Sequence, residues 1–260
     1  MREPLPGILF ALLGFGLFSL HDVVVKSLGG TYIPFQIIFF SVLFSFPIAS
    51  IMLMQDATAG TLRPVHPWWV AARTVAAVIA TMSAFYAFTV LPLAEAYAIL
   101  FAAPLLITLL AIPILGEKIR LQRGLAVLVG LAGIIVVLQP GQSVPTLGHL
   151  AALTAAICGA FASVVVRRIG AEERSVVLLL YPLVANFVIM GAAIPFVYQP
   201  MPVLDLGRVA MTALLAFLAM NCMIYAYRHA EAALIAPMQY SQILWALFYG
   251  ALLFDETPSG

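Results

Sequence analysis

Charge is what this chain most lacks: of 260 residues only 9% are Asp, Glu, Lys or Arg, and the net charge is +1. So even a balance excludes a nucleic-acid partner held by a basic face, because the few Lys and Arg residues are scattered between apolar runs. Cysteine is nearly missing as well. Cys158 and Cys222 fall inside two different apolar runs and show no C-x-x-C or Cys/His spacing, which points to neither a disulfide framework nor a metal site. No H-E-x-x-H, no G-x-S-x-G and no phosphate-cradling glycine loop occurs, and His21, His66, His149 and His229 stand apart. An intramembrane enzyme and an ATP-driven pump lose their chemistry on that ground, and no cofactor or metal is expected.

What is present is hydrocarbon. Apolar residues make up 64% of the chain and mean hydropathy is +1.10, more than the surface of a water-soluble domain can cover. A crossing of the bilayer core takes about 20 apolar residues as a helix. Nine stretches qualify: 6–26, 34–54, 68–90, 92–115, 121–138, 147–166, 175–198, 208–228 and 232–254. Turn chemistry separates them, among it Gly29-Gly30 before Pro34, the polar 55–67 stretch, Gln139-Pro140-Gly141 and Gln199-Pro200. The first run is retained as a span and not cut as a leader, since one Arg precedes it and no small-x-small site follows.

Residues 7–29 and 148–170 are two copies of one 23-residue helix. Eight positions are identical without a gap, including Leu9/Leu150, Ala11/Ala152 and the triple-valine runs 23–25 and 164–166. Five spans separate one start from the other, so the second copy crosses in the opposite direction: an inverted repeat, as in secondary transporters. Later events recur in order. Tyr86-Ala87-Phe88 is echoed by Tyr225-Ala226-Tyr227, Ala94-Glu95-Ala96 by Ala230-Glu231-Ala232, and Gly116-Glu117 by Asp255-Glu256. The division expected is 1–141 for the first repeat, with five spans, and 142–260 for the second, with four and a missing tenth helix. Basic residues are retained in the cytoplasm. A cytoplasmic N-terminus puts ten of the twelve on the inner face and only Lys26 and Arg208 outside.

These features, with the Phe18-Ser19-x-His21-Asp22-x-x-x-Lys26 segment of the first span, resemble the drug/metabolite transporter superfamily, EamA type. The resemblance implies ten helices as two inverted five-helix repeats, here an all-α polytopic membrane protein lacking the tenth. Within that superfamily the chain looks most like the branch of riboflavin and S-adenosylmethionine carriers. The implied activity is secondary active transport of a small organic metabolite, whether a flavin, S-adenosylmethionine, an amino acid or a drug-like solute, by alternating access. A non-transporting scaffold or a passive pore is the alternative. Implied partners are the solute, membrane lipid and a coupling proton, in a monomer or homodimer of the bacterial inner membrane.

Ionisable groups inside a bilayer are costly and mark pathways. His21, Asp22 and Lys26 in the first span are therefore coupling or gating candidates. Asp22 and Lys26 share a helix face four residues apart and can pair, although Lys26 also fits a snorkelling role. The second copy carries Ala162-Ser163 in place of His21-Asp22, so the duplicated helix does not need the charges. Glu95 and Glu231 open spans four and nine at matching positions, as gating carboxylates or as plain helix-start anions. Span nine is the most polar. Gln239, Tyr240, Gln242 and Trp245 are read as lining a solute cavity, joined by Tyr86, Tyr97, Phe101, Asn221 and Tyr225, because aromatic faces with a few amides suit a flat organic solute. Pro104 and Pro237 interrupt spans four and nine, as happens beside transporter binding sites. Tyr32, Trp68, Trp69 and Tyr198 are assigned to the interfacial belt.

Overall fold

In a computed structural model, residues 5–55, 61–116, 146–229 and 235–255 are described, and every element among them is helical. Their order is α1 (Leu5–Gly29), α2 (Pro34–Gln55), α3 (Pro67–Val90), α4 (Leu93–Leu100), α5 (Ala103–Leu115), α6 (Leu147–Ile169), α7 (Ser175–Val197), α8 (Val203–His229), a 3-10 helix (Ala236–Tyr240) and α9 (Ser241–Phe254). Helices are the only open-ended spanning structures that satisfy their own backbone in lipid. Six described segments are long and apolar enough to cross, with α4 and α5 counted as one. The fifth expected span, 121–138, lies outside the described residues, as do Glu117, Glu231 and Glu256.

Expected span four is broken. Its chain leaves the helix at Phe101 and Ala102 and resumes as α5, with Pro104 in the first turn where its missing N–H costs nothing. Span nine tightens into the 3-10 helix across Pro237 before α9 begins. Among the described residues, then, the fourth element of the first repeat breaks at Phe101 and Ala102, and that of the second carries a 3-10 segment ahead of α9.

Duplication is legible in the packing. α1 lies chiefly against α8 while α6, its copy, lies against α3; α2 pairs with α7 and α4 with α9. The two α1-type helices run in opposite directions, as three contacts near Leu91 establish. Lys26, at the end of α1, donates to the Leu91 carbonyl. Gly148, at the start of α6, abuts Val90 and Leu91 so closely that a Cβ would fall 2.7 Å from Val90 Cγ2. One helix thus finishes where the other starts.

Two straps tie the halves together at opposite faces. At the face where α1 ends, the Gln36 side chain pairs with the Gln199 backbone, and Tyr32 donates to Asp205 at 2.7 Å. Tyr32 is buried and not a belt residue; that bond to Asp205 raises its phenol above the usual range. At the other face, Glu173 accepts from the His66 amide and Glu172 meets the His66 ring at 2.6 Å. In repeat terms these straps are equivalents, the first joining the 1–2 and 7–8 connections and the second the 2–3 and 6–7 connections. Trp68 and Tyr198 are exposed at the helix ends, as belt residues should be, and Trp69 lies under the Arg168 guanidinium at 4.7 Å.

Large apolar side chains cover the outside, among them Leu13, Ile189, Leu214 and Leu244. Such a surface is a liability in water and the normal face of a bundle in lipid. Close packing inside uses small residues: Gly14 sits against Ala219, Cys222 and Met223, and Gly16 against the Trp245 indole. Both cysteines are free and half-buried.

Candidate substrate-binding site

Helical spacing sends Ser19 and Asp22 of α1 inward together. Asp22 is buried, and a carboxylate in that position is tolerable only with donors on it. It has two. His21 Nδ1 lies 2.7 Å from Oδ1, and the Tyr97 hydroxyl donates to Oδ2 from α4. Ser19 Oγ is 3.5 Å from the same hydroxyl. The expected Asp22–Lys26 pair is thereby corrected. Lys26, one turn nearer the helix end, donates to Leu91 O and stands 5.4 Å from the Phe254 ring centre, because the loose carbonyl at the end of α3 lies there.

Aromatic rings extend from this carboxylate in a chain. Tyr97 tilts against Phe88 at 5.6 Å and stacks on Phe101 at 6.0 Å, and Phe101 meets Tyr240 edge-on at 5.3 Å. His21 approaches Phe85 edge-on at 6.0 Å. The break after α4 makes this possible, since Phe101 leaves the helix and turns toward the 3-10 segment of the other repeat. Gln242, on the face of α9 that also buries Ala246 and Gly250, is buried without a hydrogen bond among the described residues. Trp245 stacks with Tyr249 at 6.0 Å and seals against Gly16. Gln239 is half-buried and Tyr240 exposed.

His21, Asp22, Tyr97, Phe101 and Tyr240 are thus joined by direct contacts, with Gln242 and Trp245 on the facing helix. Other expected residues lie elsewhere. Tyr86 is half-buried on α3, with its carbonyl accepting from Thr89. Asn221 is exposed and bends its amide back to Phe217 O at 2.8 Å. Tyr225 is at the other end of the bundle, stacked on His229 at 3.9 Å and against Phe10 at 4.2 Å. Glu95 is more than a helix-start anion: its Oε1 lies 2.7 Å from His149 Nε2 on α6. Ser19, Phe85 and His149 are missed by the sequence reading. For His149 a signal existed, because Thr146-x-x-His149 places a side chain three residues after a capping threonine.

A depression of about 380 Å³ lies between α1 and α9, lined by Leu12, Ser241, Leu244, Trp245 and Phe248. Its walls are almost wholly apolar, and Leu244 and Phe248 are exposed. It faces outward, so it is a lipid-side feature and not the carboxylate site. Among the described residues no cluster of His, Cys, Asp and Glu is arranged to hold a metal.

Comparisons with known proteins bear on the fold and the family. The chain is 26% identical over 262 residues to an S-adenosylmethionine uptake transporter of Rickettsia prowazekii, covering 99% of this chain and 87% of the relative. It is 24% identical over 257 residues to the pseudopaline exporter CntI of Pseudomonas aeruginosa, covering 97% and 89%. An uncharacterized transporter of Helicobacter pylori is 25% identical over 95% of this chain and 85% of its own. A protein of known crystal structure superposes with a TM-score of 0.68 at 23% identity, over 98% of this chain and 90% of that one, which establishes the fold. The EamA-like transporter model matches twice, over residues 5–139 and 146–260. With a repeated family match across nearly its whole length and a multi-helix membrane fold, the chain belongs to the EamA-like transporter family and is a membrane transporter of small metabolites.

Proposed function

We propose that the protein is a secondary carrier that works by alternating access, its repeats 1–141 and 142–260 rocking about the Asp22 site. The observation that carries this reading is the buried Asp22 carboxylate, held by His21 and Tyr97 beside the aromatic chain that crosses from α4 to the 3-10 segment. A carboxylate among ring faces favours an organic cation, by ion pairing and by attraction to the rings. Its solute class is therefore a small metabolite with a cationic centre and a flat ring, and Gln242 supplies an amide to orient it. S-adenosylmethionine, named in a relative's function, has that chemistry: a sulfonium, an amino acid and a purine.

The protein sits in the bacterial inner membrane with the start of α1 in the cytoplasm. That orientation puts Arg63, Arg73, Arg167, Arg168 and Arg174 inside and leaves Lys26 and Arg208 at the outer face. Asp22 is also the group that takes a coupling proton, and Glu95 and Glu231 are gating carboxylates. No group suited to catalysis is called for.

Uptake of labelled S-adenosylmethionine into proteoliposomes tests this reading. Saturable flux with counterflow supports a carrier, and flux linear in concentration identifies a pore. Asp22→Asn is expected to abolish or uncouple transport while leaving expression intact, and unchanged pH-dependent uptake by that variant refutes the role of Asp22.

A further inference from the structure

α4 is an eight-residue helix, too short to hold its own position by propensity, flanked by Pro92 and by the break at Phe101. Two polar tethers fix it. Glu95 reaches His149 on α6 and Tyr97 reaches Asp22 on α1. Residues two apart on a helix point about 200° apart, so the tethers pull on opposite flanks. One tether ends in each repeat, and α4 is thereby the piece strung between the two halves.

His149 is built for this. It is buried, and both ring nitrogens are engaged. The Thr146 backbone N–H lies 3.1 Å from Nδ1, and a backbone N–H can only donate, so Nδ1 is the acceptor and Nε2 carries the hydrogen. Thr146 Oγ1, 2.7 Å from the same nitrogen, can donate or accept and so fits that assignment. Nε2–H therefore points its proton at Glu95. The copy of this helix in the first repeat has Ile8 at the matching position, so the duplicated fold does not itself require an imidazole here. It is an addition to one half.

We infer that His149 is a positioning residue: locked by Thr146 as a donor to Glu95, it sets the rotation of α4 and through it holds the Tyr97 hydroxyl on Asp22. This rests on the reading of Asp22 as the transport site, but its first test does not need transport. Tyrosines replaced by 3-fluorotyrosine give ¹⁹F resonances in the reconstituted protein, that of Tyr97 being identified by its loss in Tyr97→Phe. His149→Ala is expected to shift or broaden the Tyr97 resonance while those of Tyr32 and Tyr198, at the same face, stay. His149→Gln, whose amide can donate from nearly the same place as Nε2, is expected to restore it. A Tyr97 signal untouched by His149→Ala, or equally disturbed by His149→Gln, overturns the inference, because a purely space-filling role would not distinguish a donor from a methyl.

Uptake supplies the second test. His149→Ala is expected to lower S-adenosylmethionine uptake by about tenfold, with Glu95→Ala at least as severe and the double variant no worse than Glu95→Ala alone. Losses that multiply in the double variant refute a shared route through one bond. Should the unmodified protein carry no S-adenosylmethionine, the solute reading fails while the resonance arm still decides the role of His149.

Discussion

Gln36 and Gln199 exchange two hydrogen bonds: the Gln36 amide donates to the Gln199 carbonyl at 2.7 Å and its oxygen accepts from the Gln199 N–H at 2.9 Å. A side chain here stands in for a strand of backbone, satisfying the chain where α7 has run out and α8 has not begun. Gln36 is fully buried at the foot of α2. The α2–α7 contact, which the repeat maps onto itself, is closed by this clasp at one face and by the His66–Glu173 contact at the other.

Gln36→Ala removes both bonds and leaves the Gln199 amide and carbonyl to find other partners. Stability is expected to fall by about 2–4 kcal/mol, from two lost hydrogen bonds and a partly filled cavity. Reversible unfolding in mixed detergent micelles measures it. A loss under ~0.5 kcal/mol would mean that interfacial water replaces the side chain without cost.

Gly29 ends α1 hard against Thr89 of α3. A Cβ there would run into the Thr89 side chain and come within 3.1 Å of the Thr89 Cα, and a backbone cannot swing aside as a side-chain tip can. Gly29→Ala must part the two helices, at about 1–3 kcal/mol, the usual penalty of overpacking. Gly30, one residue on, has open space where a methyl group would sit and serves as the control: Gly30→Ala is expected to unfold as the unmodified protein does. Equal behaviour of the two variants in thermal unfolding would remove the close approach as the reason for glycine at 29.

Much of the architecture was legible because lipid imposes a plain rule on sequence. Every span must be a long apolar run, so limits such as 34–54 and 175–198 fall within a residue or two of α2 and α7. Gap-free repetition between 7–29 and 148–170, with an odd number of spans from one start to the other, implied the opposite running of α1 and α6. What pairs with what was less readable, since a local pattern is blind to the other repeat. Asp22 and Lys26 are four apart and look like partners, yet Tyr97, 75 residues away, and the Leu91 carbonyl, 65 away, take them instead. Tyr32 looks like a belt residue until Asp205 is folded beside it. Asn221 and Tyr225, four apart on one helix face, fall on the exposed side and not with buried Ala219, Met223 and Ala226, and Asn221 bonds back to its own helix.

Tyr97→Phe keeps the ring that stacks on Phe101 and deletes only the hydroxyl on Asp22. Bonds to a charged group are worth ~1.5–3 kcal/mol, so uptake at limiting solute should fall about ten- to hundredfold if Asp22 must be held in place during transport. Normal thermal unfolding alongside that loss would separate a functional effect from a folding one. Uptake within twofold of the unmodified protein would show that His21 alone suffices to hold Asp22.

Sidedness can be read chemically at two exposed positions on opposite faces. Val203, at the start of α8, lies beside the Tyr32–Asp205 strap, and Trp68, at the start of α3, beside the His66–Glu172 contact. Basic residues crowd the second face, with Arg168 over Trp69 and Arg174 donating to Thr61 O at 3.4 Å. Positive charge is retained inside, so the proposed orientation has Trp68 cytoplasmic and Val203 external. In a Cys158→Ser, Cys222→Ser background, Val203→Cys is expected to react with a membrane-impermeant maleimide in intact cells. Trp68→Cys should react only after the cells are opened. The reverse pattern would turn the protein over in the membrane, placing Lys26, Leu91 and the Glu95–His149 bond at the cytoplasmic mouth of the site and not the external one.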